Sequence, residues 1–255
     1  MKIISWNVNG LRSVHGKGLL KWLRQAKPDI FCLQEIKVSK EKIPEKLLNL
    51  SGYYAYFSHA RRPGYSGTAI YTKLKPISAR YEMGFEQFDR EGRFLALDFK
   101  NFILINVYLP QGGRMKEKLG YKLVAYKKLF NYLRTIGAKK SVILLGDFNI
   151  AHTALDLARP KPNENNIMFT PAERKQIDRL EALGFIDTFR EFHKGAGHYT
   201  WWSYRANVRA KNIGWRIDYV FANKLIIKKI SKAFILPAVR GSDHCPIGIN
   251  FNPVK

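Results

Sequence analysis

Short apolar runs recur along this chain, and five of them end abruptly in polar side chains that can bind a metal or carry a proton. Short runs of β-branched or apolar residues bounded by turn residues predict buried strands. By this pattern we predict strands at residues 2–6, 29–34, 67–72, 93–98, 102–108, 141–146, 216–221 and 247–251. Because ligands and catalytic groups collect at strand ends in layered α/β proteins, the polar residues there are the first candidates for a site.

Helical periodicity separates several of these strands. Apolar residues at helical spacing predict helices at 17–26 and 117–136. A third helix is predicted after Thr170, which can act as its N-cap, with Pro171 in the first turn and Glu173 completing a capping box. Helices mixed with strands predict a layered α/β fold.

No feature of the sequence marks a domain boundary. The chain contains neither a linker-like Gly/Ser tract nor a repeat of fixed period. The neighbouring strands at 93–98 and 102–108 predict a hairpin, and the Pro- and Asn-rich residues 159–170 predict a surface loop. We therefore predict a single domain over residues 1–255.

The chain is strongly basic. Its 255 residues include 44 Lys and Arg against 20 Asp and Glu, a formal charge of +24, and 46% of them are hydrophobic. The hydrophobic share is ample for a core, which argues against disorder. Such an excess of positive charge repels itself unless an anionic partner uses it, and nucleic acid is the commonest such partner. A solvated basic surface is the alternative.

Cysteine usage and the N-terminus indicate an intracellular protein. Cys32 and Cys245 lie in apolar, strand-like contexts, which predicts buried free thiols in a reducing compartment. The N-terminus enters a strand without the apolar segment of a signal peptide, and no apolar run approaches the ~20 residues of a membrane helix. We expect a soluble cytoplasmic protein, nucleoid-associated if the source is prokaryotic, with no membrane partner.

Two strand ends carry candidate catalytic carboxylates. Alternation along the strand places Asp147 and Asn149 on one face, where they could hold and deprotonate a water, although a polar turn uses the same residue types. Glu35 follows another apolar run and could bind Mg²⁺, which prefers oxygen ligands. The alternative for Glu35 is an ion pair with Lys37.

A histidine near the C-terminus is the candidate phosphate contact. Adjacent residues on an extended chain point to opposite sides, so we predict that His244 pairs with Asp218 and not with its neighbour Asp243. A carboxylate partner raises the pKa of an imidazole, which could then neutralise a phosphate oxygen. A purely structural histidine is the alternative.

Aromatic and cationic residues alternate between positions 199 and 216. Trp201, Trp202 and Trp215 lie there among Arg205, Arg209 and other cations. Flat rings suit stacking on bases or sugars while cations hold phosphates, but large rings also fill cores. We expect both uses, with one or two Trp residues lining a pocket.

Nine segments of the chain occur together in a recognisable order. They are SWNVNGLR at 5–12, LQE at 33–35, GYSG at 64–67, NVYLPQG at 106–112, GDFN at 146–149, FTPAER at 169–174, DTFR at 187–190, GWRIDY at 214–219 and GSDHCP at 241–246. In combination they resemble the exonuclease III family of AP endonucleases, within the wider endonuclease/exonuclease/phosphatase superfamily. The resemblance spans nearly the whole chain.

The resemblance implies a fold and an activity. The fold is α/β, a four-layered α/β sandwich of two mixed β-sheets packed face to face and flanked by helices. The activity is hydrolysis of duplex DNA on the 5′ side of abasic sites with Mg²⁺ or Mn²⁺, together with 3′–5′ exonuclease and 3′-end-cleaning activity. The expected partner is double-stranded DNA containing abasic sites or blocked 3′ ends, bound by a monomer.

The resemblance also implies roles for individual residues. It implies catalytic roles for Asp147, His244, Tyr108, Asn149, Asp218 and Asn7. It implies Glu35 as the main metal ligand, with Asn7, Asp147, Asn149 and Asp243 as further ligands. It implies DNA contacts by Arg12, Tyr65, Gln111, Arg114, Trp201, Arg205, Trp215 and Ile217. Of these, two Trp residues and Ile217 match a pocket that accepts an extruded sugar without a base.

Three positions depart from the pattern of other members. Asn9 stands where some carry Asp, which bears on whether a second metal binds there. Gln111 stands where others carry Asn, and Trp201 where some carry Phe, which bears on the size of the pocket.

Three alternative functions stay open. A family member could act mainly as a 3′-phosphatase or exonuclease, or incise beside a damaged or uracil-bearing nucleotide. A phosphodiesterase of inositol phosphates or lipids is disfavoured by the +24 charge and the aromatic segment. A non-catalytic nucleic-acid-binding module is disfavoured because the candidate carboxylates and the histidine are all present.

Overall fold

The computed structural model describes residues 1–136, 140–205 and 207–252, and its strands form two six-stranded sheets. The strands are β1 (Lys2–Asn7), β2 (Ile30–Gln34), β3 (Tyr54–Ser58), β4 (Thr68–Thr72), β5 (Ser78–Arg80), β6 (Phe94–Asp98), β7 (Ile103–Tyr108), β8 (Val142–Asp147), β9 (Phe185–Asp187), β10 (Asp218–Asn223), β11 (Ile230–Ile235) and β12 (Ile247–Phe251). All eight predicted strands are confirmed, with bounds within two residues of those expected.

Both sheets are mixed. The first sheet has the order β11-β12-β1-β2-β4-β3 and the second the order β5-β6-β7-β8-β10-β9. Within each sheet one central pair is parallel, β1 with β2 and β7 with β8, while the other pairs are antiparallel. The predicted hairpin is confirmed as β6 and β7. The four strands that were not predicted, β3, β5, β9 and β11, are the four sheet edges.

Helices flank the sheets. They are α1 (Leu11–Gly16), α2 (Leu19–Ala26), α3 (Glu45–Leu48), α4 (Glu86–Arg90), α5 (Leu119–Ile136), α6 (Pro160–Asn163), α7 (Pro171–Ala182) and α8 (Thr188–Phe192), with 3₁₀ turns at Lys40–Lys42, Ala154–Asp156 and Ile227–Lys229. The predicted capping box of α7 is confirmed, because the Thr170 side chain accepts from the Glu173 amide and Glu173 accepts from the Thr170 amide. The prediction of a loop at 159–170 is wrong for α6, which begins at a proline suited to a first helical turn.

Apolar side chains from both sheets meet in a central layer. Ile3 and Ile30 of the first sheet pack with Leu104 and Ile143 of the second, all fully buried. Helices α5 and α7 cover the outer face of the second sheet, and α1 and α2 cover that of the first. Burial of each large aliphatic side chain contributes about 1.5–3 kcal/mol, so these layers supply most of the driving force for folding. The predicted four-layered sandwich is confirmed.

A polar link crosses this apolar layer. The Gln34 amide at the end of β2 donates to Ser5 Oγ at 2.9 Å and to Asn106 Oδ1 at 2.7 Å. The Asn106 amide in turn donates to the carbonyls of Leu33 and Ala69, each at 3.0 Å. Because buried polar groups are costly unless paired, this link fixes the register of the two sheets where their strand ends meet.

The two cysteines are free and buried, as predicted. Burial raises the pKa of the Cys32 thiol well above its usual value, which makes it unreactive at neutral pH. Among the described residues, no helix combines the length and the apolar composition that crossing a membrane requires.

Candidate active site

Three polar residues occupy one row at the ends of the inner strands β7, β8 and β10 of the second sheet. In the strand register Asp147 of β8 lies opposite Tyr108 of β7 on one side and Asp218 of β10 on the other. Directly opposite residues of neighbouring strands present their side chains to the same face. The first sheet contributes Asn7 from the end of β1, whose amide donates to Asp147 Oδ2 at 2.8 Å. The strand ends that follow the apolar runs therefore meet in one place, as the sequence predicted.

Backbone conformation at these strand ends is unusual. Gly146 has φ of 136°, and a Cβ there would lie 1.9 Å from the carbonyl oxygen of Val107. Only glycine permits β8 to approach β7 so closely, immediately before Asp147. Glu35 and Asn149 adopt left-handed φ values of 56° and 52°. Such conformations cost of order 1–3 kcal/mol each in non-glycine residues and cluster at functional sites.

Asp147 is a buried carboxylate with an elevated proton affinity. Its Oδ1 accepts from the Asn149 backbone amide at 2.9 Å, and its Oδ2 accepts from Asn7. Burial, and next the negative charge of Asp218, raise its pKa to about 7, while His244 and Asn7 act in the opposite direction. A carboxylate in this range can accept a proton near neutral pH.

His244 is held as a cation between two carboxylates. Its Nδ1 lies 2.8 Å from Asp218 Oδ2, and its Nε2 lies 3.9 Å from Asp147 Oδ2. Burial would lower the pKa of His244, but the charge and hydrogen bond of Asp218, and then Asp147, raise it to about 10. The imidazole is therefore protonated at neutral pH. The predicted pairing with Asp218 is confirmed.

The segment that carries His244 is fastened to β1. The Trp6 indole N–H donates to the His244 carbonyl at 3.1 Å. Ser242 Oγ donates to the Asn7 carbonyl at 2.9 Å and accepts from the His244 amide at 3.2 Å. These bonds set the position of the imidazole relative to Asn7 and thereby to the second sheet.

Asp243 points away from His244, as expected for a neighbour on an extended chain. Its Oδ1 accepts from the Asn9 amide and its Oδ2 from the Trp201 indole N–H, both at 3.0 Å. Burial opposes ionisation of Asp243, but the charge of His244 and these hydrogen bonds lower its pKa. Asn9, which the sequence suggested only as a departure from the family pattern, thus joins β1 to the C-terminal segment.

Glu35 forms the ion pair that was its alternative interpretation. Its Oε1 lies 2.7 Å from Lys37 Nζ, which also donates to Asn9 Oδ1 at 2.7 Å. The Glu35 side chain is 18% exposed, more open than Asp147 at 2%. Because Glu35 and Lys37 are both partly exposed, a cation can replace the lysine, so the ion pair and a ligand role are compatible.

The chemistry of the donors suits a hard cation. Asp147, Asp218 and His244 offer ligand atoms that all lie within 4.8 Å of one another. Asp218 Oδ1 is buried and has no hydrogen-bond partner among the described residues. Carboxylate and amide oxygens are what Mg²⁺ prefers, whereas His244 already uses Nδ1 for Asp218. Of the predicted ligands, Asn7 and Asn149 each bond Asp147, whereas Glu35 pairs with Lys37, and Asp243 accepts from Asn9 and Trp201.

Tyr108 rests on a buried arginine that sequence reasoning missed. The Arg93 guanidinium lies 4.5 Å from the centre of the Tyr108 ring and donates to the Tyr108 carbonyl at 3.0 Å and to Tyr65 Oη at 2.9 Å. Burial, and then the charge of Glu35, raise the pKa of the Tyr108 phenol well above its usual value. The phenol is therefore a neutral hydroxyl that can donate to an anion. No local pattern marks Arg93, since a single Arg at the start of a strand is common.

A cavity of about 530 Å³ is connected to the site through Trp201, whose indole bonds Asp243 and whose ring centre lies 6.5 Å from that of His244. Trp201 and Trp215 form part of its wall and exchange two backbone hydrogen bonds of 2.9 Å. Met168 also lines it, a residue that the sequence did not suggest. Ile217 is 1% exposed and packs beneath the aromatic wall, not on its surface. Arg114 is exposed at the rim, where a basic side chain can meet a phosphate.

The remaining candidate DNA contacts surround the site. Arg12 on α1, Gln111 after β7 and Arg205 after the Trp pair are exposed, and Tyr65 is half-buried against Arg93. Only Arg114 of the predicted basic contacts lines the same cavity as the Trp residues. The others lie on separate segments, as an extended binding surface requires.

Comparisons with known proteins agree on one family. A model described as the Endonuclease/Exonuclease/phosphatase family matches residues 4–244. The chain is 42% identical to an exodeoxyribonuclease of Bacillus subtilis over 254 residues, 99% of this chain and 100% of that protein. Its structure resembles an AP endonuclease from Archaeoglobus fulgidus with a TM-score of 0.90 and 30% identity, over 99% of both chains. It also resembles the Neisseria 3′ phosphatase NExo bound to a product DNA hairpin, with a TM-score of 0.92 and 28% identity, over 99% of both chains.

Proposed function

Because this chain belongs to the endonuclease/exonuclease/phosphatase family and is a hydrolytic DNA-repair nuclease, we propose that it cleaves duplex DNA on the 5′ side of abasic sites. The observation that carries the proposal is the cationic His244, held by Asp218 and facing Asp147 beside a Trp-lined cavity. We further propose that residues 1–255 form one catalytic domain that acts as a monomer.

Asp147 is the proposed base for the attacking water. Its carboxylate is oriented by Asn7 and by the Asn149 amide, so it does not have to reorganise during the reaction. Its raised pKa gives it proton affinity near neutral pH. General-base catalysis of this kind contributes typically 10²–10⁴-fold to a rate.

His244 is the proposed contact for the scissile phosphate. Asp218 engages Nδ1, so the imidazolium Nε2–H, 3.9 Å from Asp147 Oδ2, is the donor left for a phosphate oxygen. The neutral hydroxyl of Tyr108, in the same row of the sheet, can supply a second donor. Fixed donors aimed at developing negative charge are typically the largest catalytic contribution.

A divalent cation fits the oxygen donors of the site. Glu35, Asp147 and Asn7 would hold it, with Asn149 and Asp243 as further candidates, and Mg²⁺ or Mn²⁺ would offset charge on the phosphoryl oxygens when bound. Cleavage in EDTA should fall to background and return when Mg²⁺ is added in excess. Full activity in chelator would remove the cation from the proposal.

The Trp-lined cavity is the proposed determinant of damage recognition. Trp201 and Trp215 present flat apolar surface, and Arg114 lies at the rim. A sugar without a base is extruded from the duplex at little cost, whereas an intact base loses stacking and adds bulk. The cavity would therefore select the abasic nucleotide by size.

A panel of end-labelled duplexes tests the proposal. The duplexes carry an abasic analogue, a uracil, a 3′-phosphate or no lesion, and the Asp147→Asn variant controls for contaminating nucleases. We expect incision 5′ to the abasic analogue at the highest kcat/KM. Absence of that incision under conditions that cleave another substrate would refute the proposed specificity.

Removal of 3′-phosphates is the second candidate activity. The observation that favours it is the fold shared with the Neisseria 3′ phosphatase over 99% of both chains. The same phosphate-binding groups would act at a strand end instead of at an internal linkage. A higher kcat/KM for the 3′-phosphate duplex than for the abasic duplex would establish this activity as the main one.

A further inference from the structure

A fully buried ion pair contacts the segment that follows β8. Lys122 on α5 and Glu173 at the start of α7 both have completely buried side chains, and Lys122 Nζ lies 2.6 Å from Glu173 Oε1. The ammonium also donates to the carbonyl of Asn149 at 2.6 Å and to that of Gln111 at 3.2 Å. Its three N–H donors therefore have three acceptors, each on a different segment of the chain.

Glu173 extends the same contacts to the wall of the cavity. Its Oε1 accepts from the Met168 amide at 3.0 Å, and its Oε2 accepts from the amide and hydroxyl of Thr170 at 3.1 and 2.7 Å. Met168 lines the Trp-walled cavity. The pair thus connects the base, through Asn149, to the lesion pocket, through Met168, and to the segment that carries Gln111.

The segment after β7 is packed against this pair without spare room. A Cβ at Gly112 would lie 3.4 Å from Lys122 Cδ and 2.6 Å from Ile167 Cδ1. The φ of Gly112 is 101°, which favours glycine in any case. The chain at 111–113 therefore takes its position from Lys122 on one side and from the cavity wall on the other.

Stability alone does not account for a charge pair in this position. Removing two charges from water is costly, and replacing a buried ion pair by apolar residues of similar volume is often neutral or stabilising. The pair does, however, hold three backbone segments in fixed relation. We propose that Lys122, with Glu173, is a positioning residue that aligns the catalytic carboxylate with the lesion pocket.

Two hydrogen bonds, both made by Asn149, connect Lys122 to Asp147. Lys122 holds the Asn149 carbonyl, the Asn149 amide donates to Asp147 Oδ1, and the Asn149 side chain donates to the Leu109 carbonyl at 2.9 Å. A shift of Asn149 therefore moves the base relative to a phosphate held by His244. A displacement of about 1 Å can reduce a rate by roughly 10²-fold. This inference rests on the proposed function for its kinetic part only.

The test compares charge removal with an ordinary loss of packing. Lys122→Met/Glu173→Gln removes both charges, leaves an amide oxygen to accept from Met168 or Thr170, and avoids an unpaired buried charge. Lys122→Arg keeps the charge with a different geometry and serves if the double variant does not fold. The matched control is Leu133→Ala, a truncation of a buried residue on the same helix, about 16 Å along α5 from Lys122.

Two readouts decide the outcome. With the abasic duplex we expect kcat of the double variant to fall by about 10–100-fold, KM to change less than about threefold, and Leu133→Ala to keep wild-type kcat at a temperature where both are folded. Lys122→Arg should lie between the wild type and the double variant. Wild-type kcat in every folded Lys122 variant, or an equal loss in Leu133→Ala, would overturn the proposal.

Hydrogen exchange supplies the readout that does not depend on activity. We expect faster amide exchange at residues 109–113 and 147–150 in the double variant, and unchanged exchange in β2 of the other sheet. Unchanged exchange in both segments would also overturn the proposal. If the wild type fails to cut abasic DNA, the proposed function fails, whereas the exchange result still tests the positioning of these segments.

Discussion

The molecule contains two neighbouring clusters of charged side chains, and the two differ in charge balance. The first is the active-site cluster of Asp147, Asp218 and His244, in which a single imidazole faces two carboxylates. The second, which we call the arginine cluster, consists of Asp156, Asp187, Arg190 and Arg216. In it Arg216 Nε lies 2.7 Å from Asp156 and Arg216 Nη2 lies 2.7 Å from Asp187, while Arg190 also bonds Asp156. Its charges are balanced, and those of the active-site cluster are not.

Burial acts on both clusters, but the neighbours decide the result. Burial and Asp218 raise the pKa of Asp147 to about 7. Burial would also raise the pKa of Asp156, but the charges and hydrogen bonds of Arg216 and Arg190 lower it to about 2. A neighbouring carboxylate raises the pKa of a carboxyl group towards neutral pH. Neighbouring guanidinium groups lower the pKa instead, so that the carboxyl group stays ionised. The first arrangement suits proton transfer and the second suits rigidity.

The two clusters also share one segment of the chain. Arg216 and Asp218 are separated by one residue, and the Arg216 amide donates to the Asp156 carbonyl at 2.7 Å. Trp215 precedes them on the same segment and forms part of the cavity wall. The arginine cluster therefore anchors the segment that presents both Asp218 and Trp215. The arginine cluster thereby fixes the position of Asp218 in the active-site cluster.

The Asp147→Asn variant should show the largest loss of activity without a loss of stability. Loss of the proposed base is expected to reduce kcat on abasic duplex by about 10²–10⁴-fold. The folded protein should be as stable as the wild type or more stable by about 1–2 kcal/mol at pH 8 without metal, because a strained buried charge is removed. Kinetics and chemical denaturation measure the two quantities. An active variant, or one that is inactive because it is unfolded, would contradict the contrast between the clusters.

Arg216→Met should give the converse result. Removal of one partner leaves Asp156 and Asp187 as buried, under-compensated charges, and breaking such a pair costs about 3–5 kcal/mol. Denaturant unfolding of the metal-free protein measures this loss. Arg90→Met is the control, since Arg90 forms an exposed pair with Glu86 that is expected to contribute about 0–1 kcal/mol. Equal effects at the two arginines would show that the arginine cluster does not stabilise the fold.

The strands at the centre of each sheet were predictable because they are buried on both faces. β2 and β8 are fully buried and appear in the sequence as continuous apolar runs. β3, β5, β9 and β11 lie at the edges, and β5 has only three residues, two of them exposed. Edge strands have one partner and weaker patterning, so local sequence does not distinguish them from loops.

The candidate site residues were singled out by their place at strand ends, and the pairs His244–Asp218 and Glu35–Lys37 were also anticipated. Two buried cations were not, because Arg93 and Lys122 contact Tyr108 and Asn149 from separate segments of the chain. Local sequence does not predict the burial of a lysine or arginine side chain, because most lysine and arginine residues are exposed. The left-handed backbone at Glu35 was likewise invisible. Long-range pairing, and not local propensity, determines these features.

The dependence of the protein on pH sharpens the comparison between the clusters. The folded-state pKa of Asp147 is raised to about 7, so in the absence of metal a fraction of the base is protonated below that pH. His244, with a pKa of about 10, stays protonated over the same range. At low, limiting Mg²⁺ concentration activity should therefore decline as pH falls through about 7, at a pH where the fold is intact. A bound cation would move this decline to lower pH, so the position of the acid limb should depend on Mg²⁺ concentration.

Stability should respond at a much lower pH. The folded-state pKa of Asp156 is depressed to about 2, below its value of about 3.9 in an unfolded chain, so its contribution is present above pH 4 and is lost as pH falls from about 4 to 2. A shift of this size corresponds to about 2–3 kcal/mol. Unfolding free energies of wild type and Asp156→Asn, measured from pH 7 to pH 2, should converge as the pH falls. Parallel curves would mean that Asp156 titrates normally and that the two clusters do not differ in the way their neighbours imply.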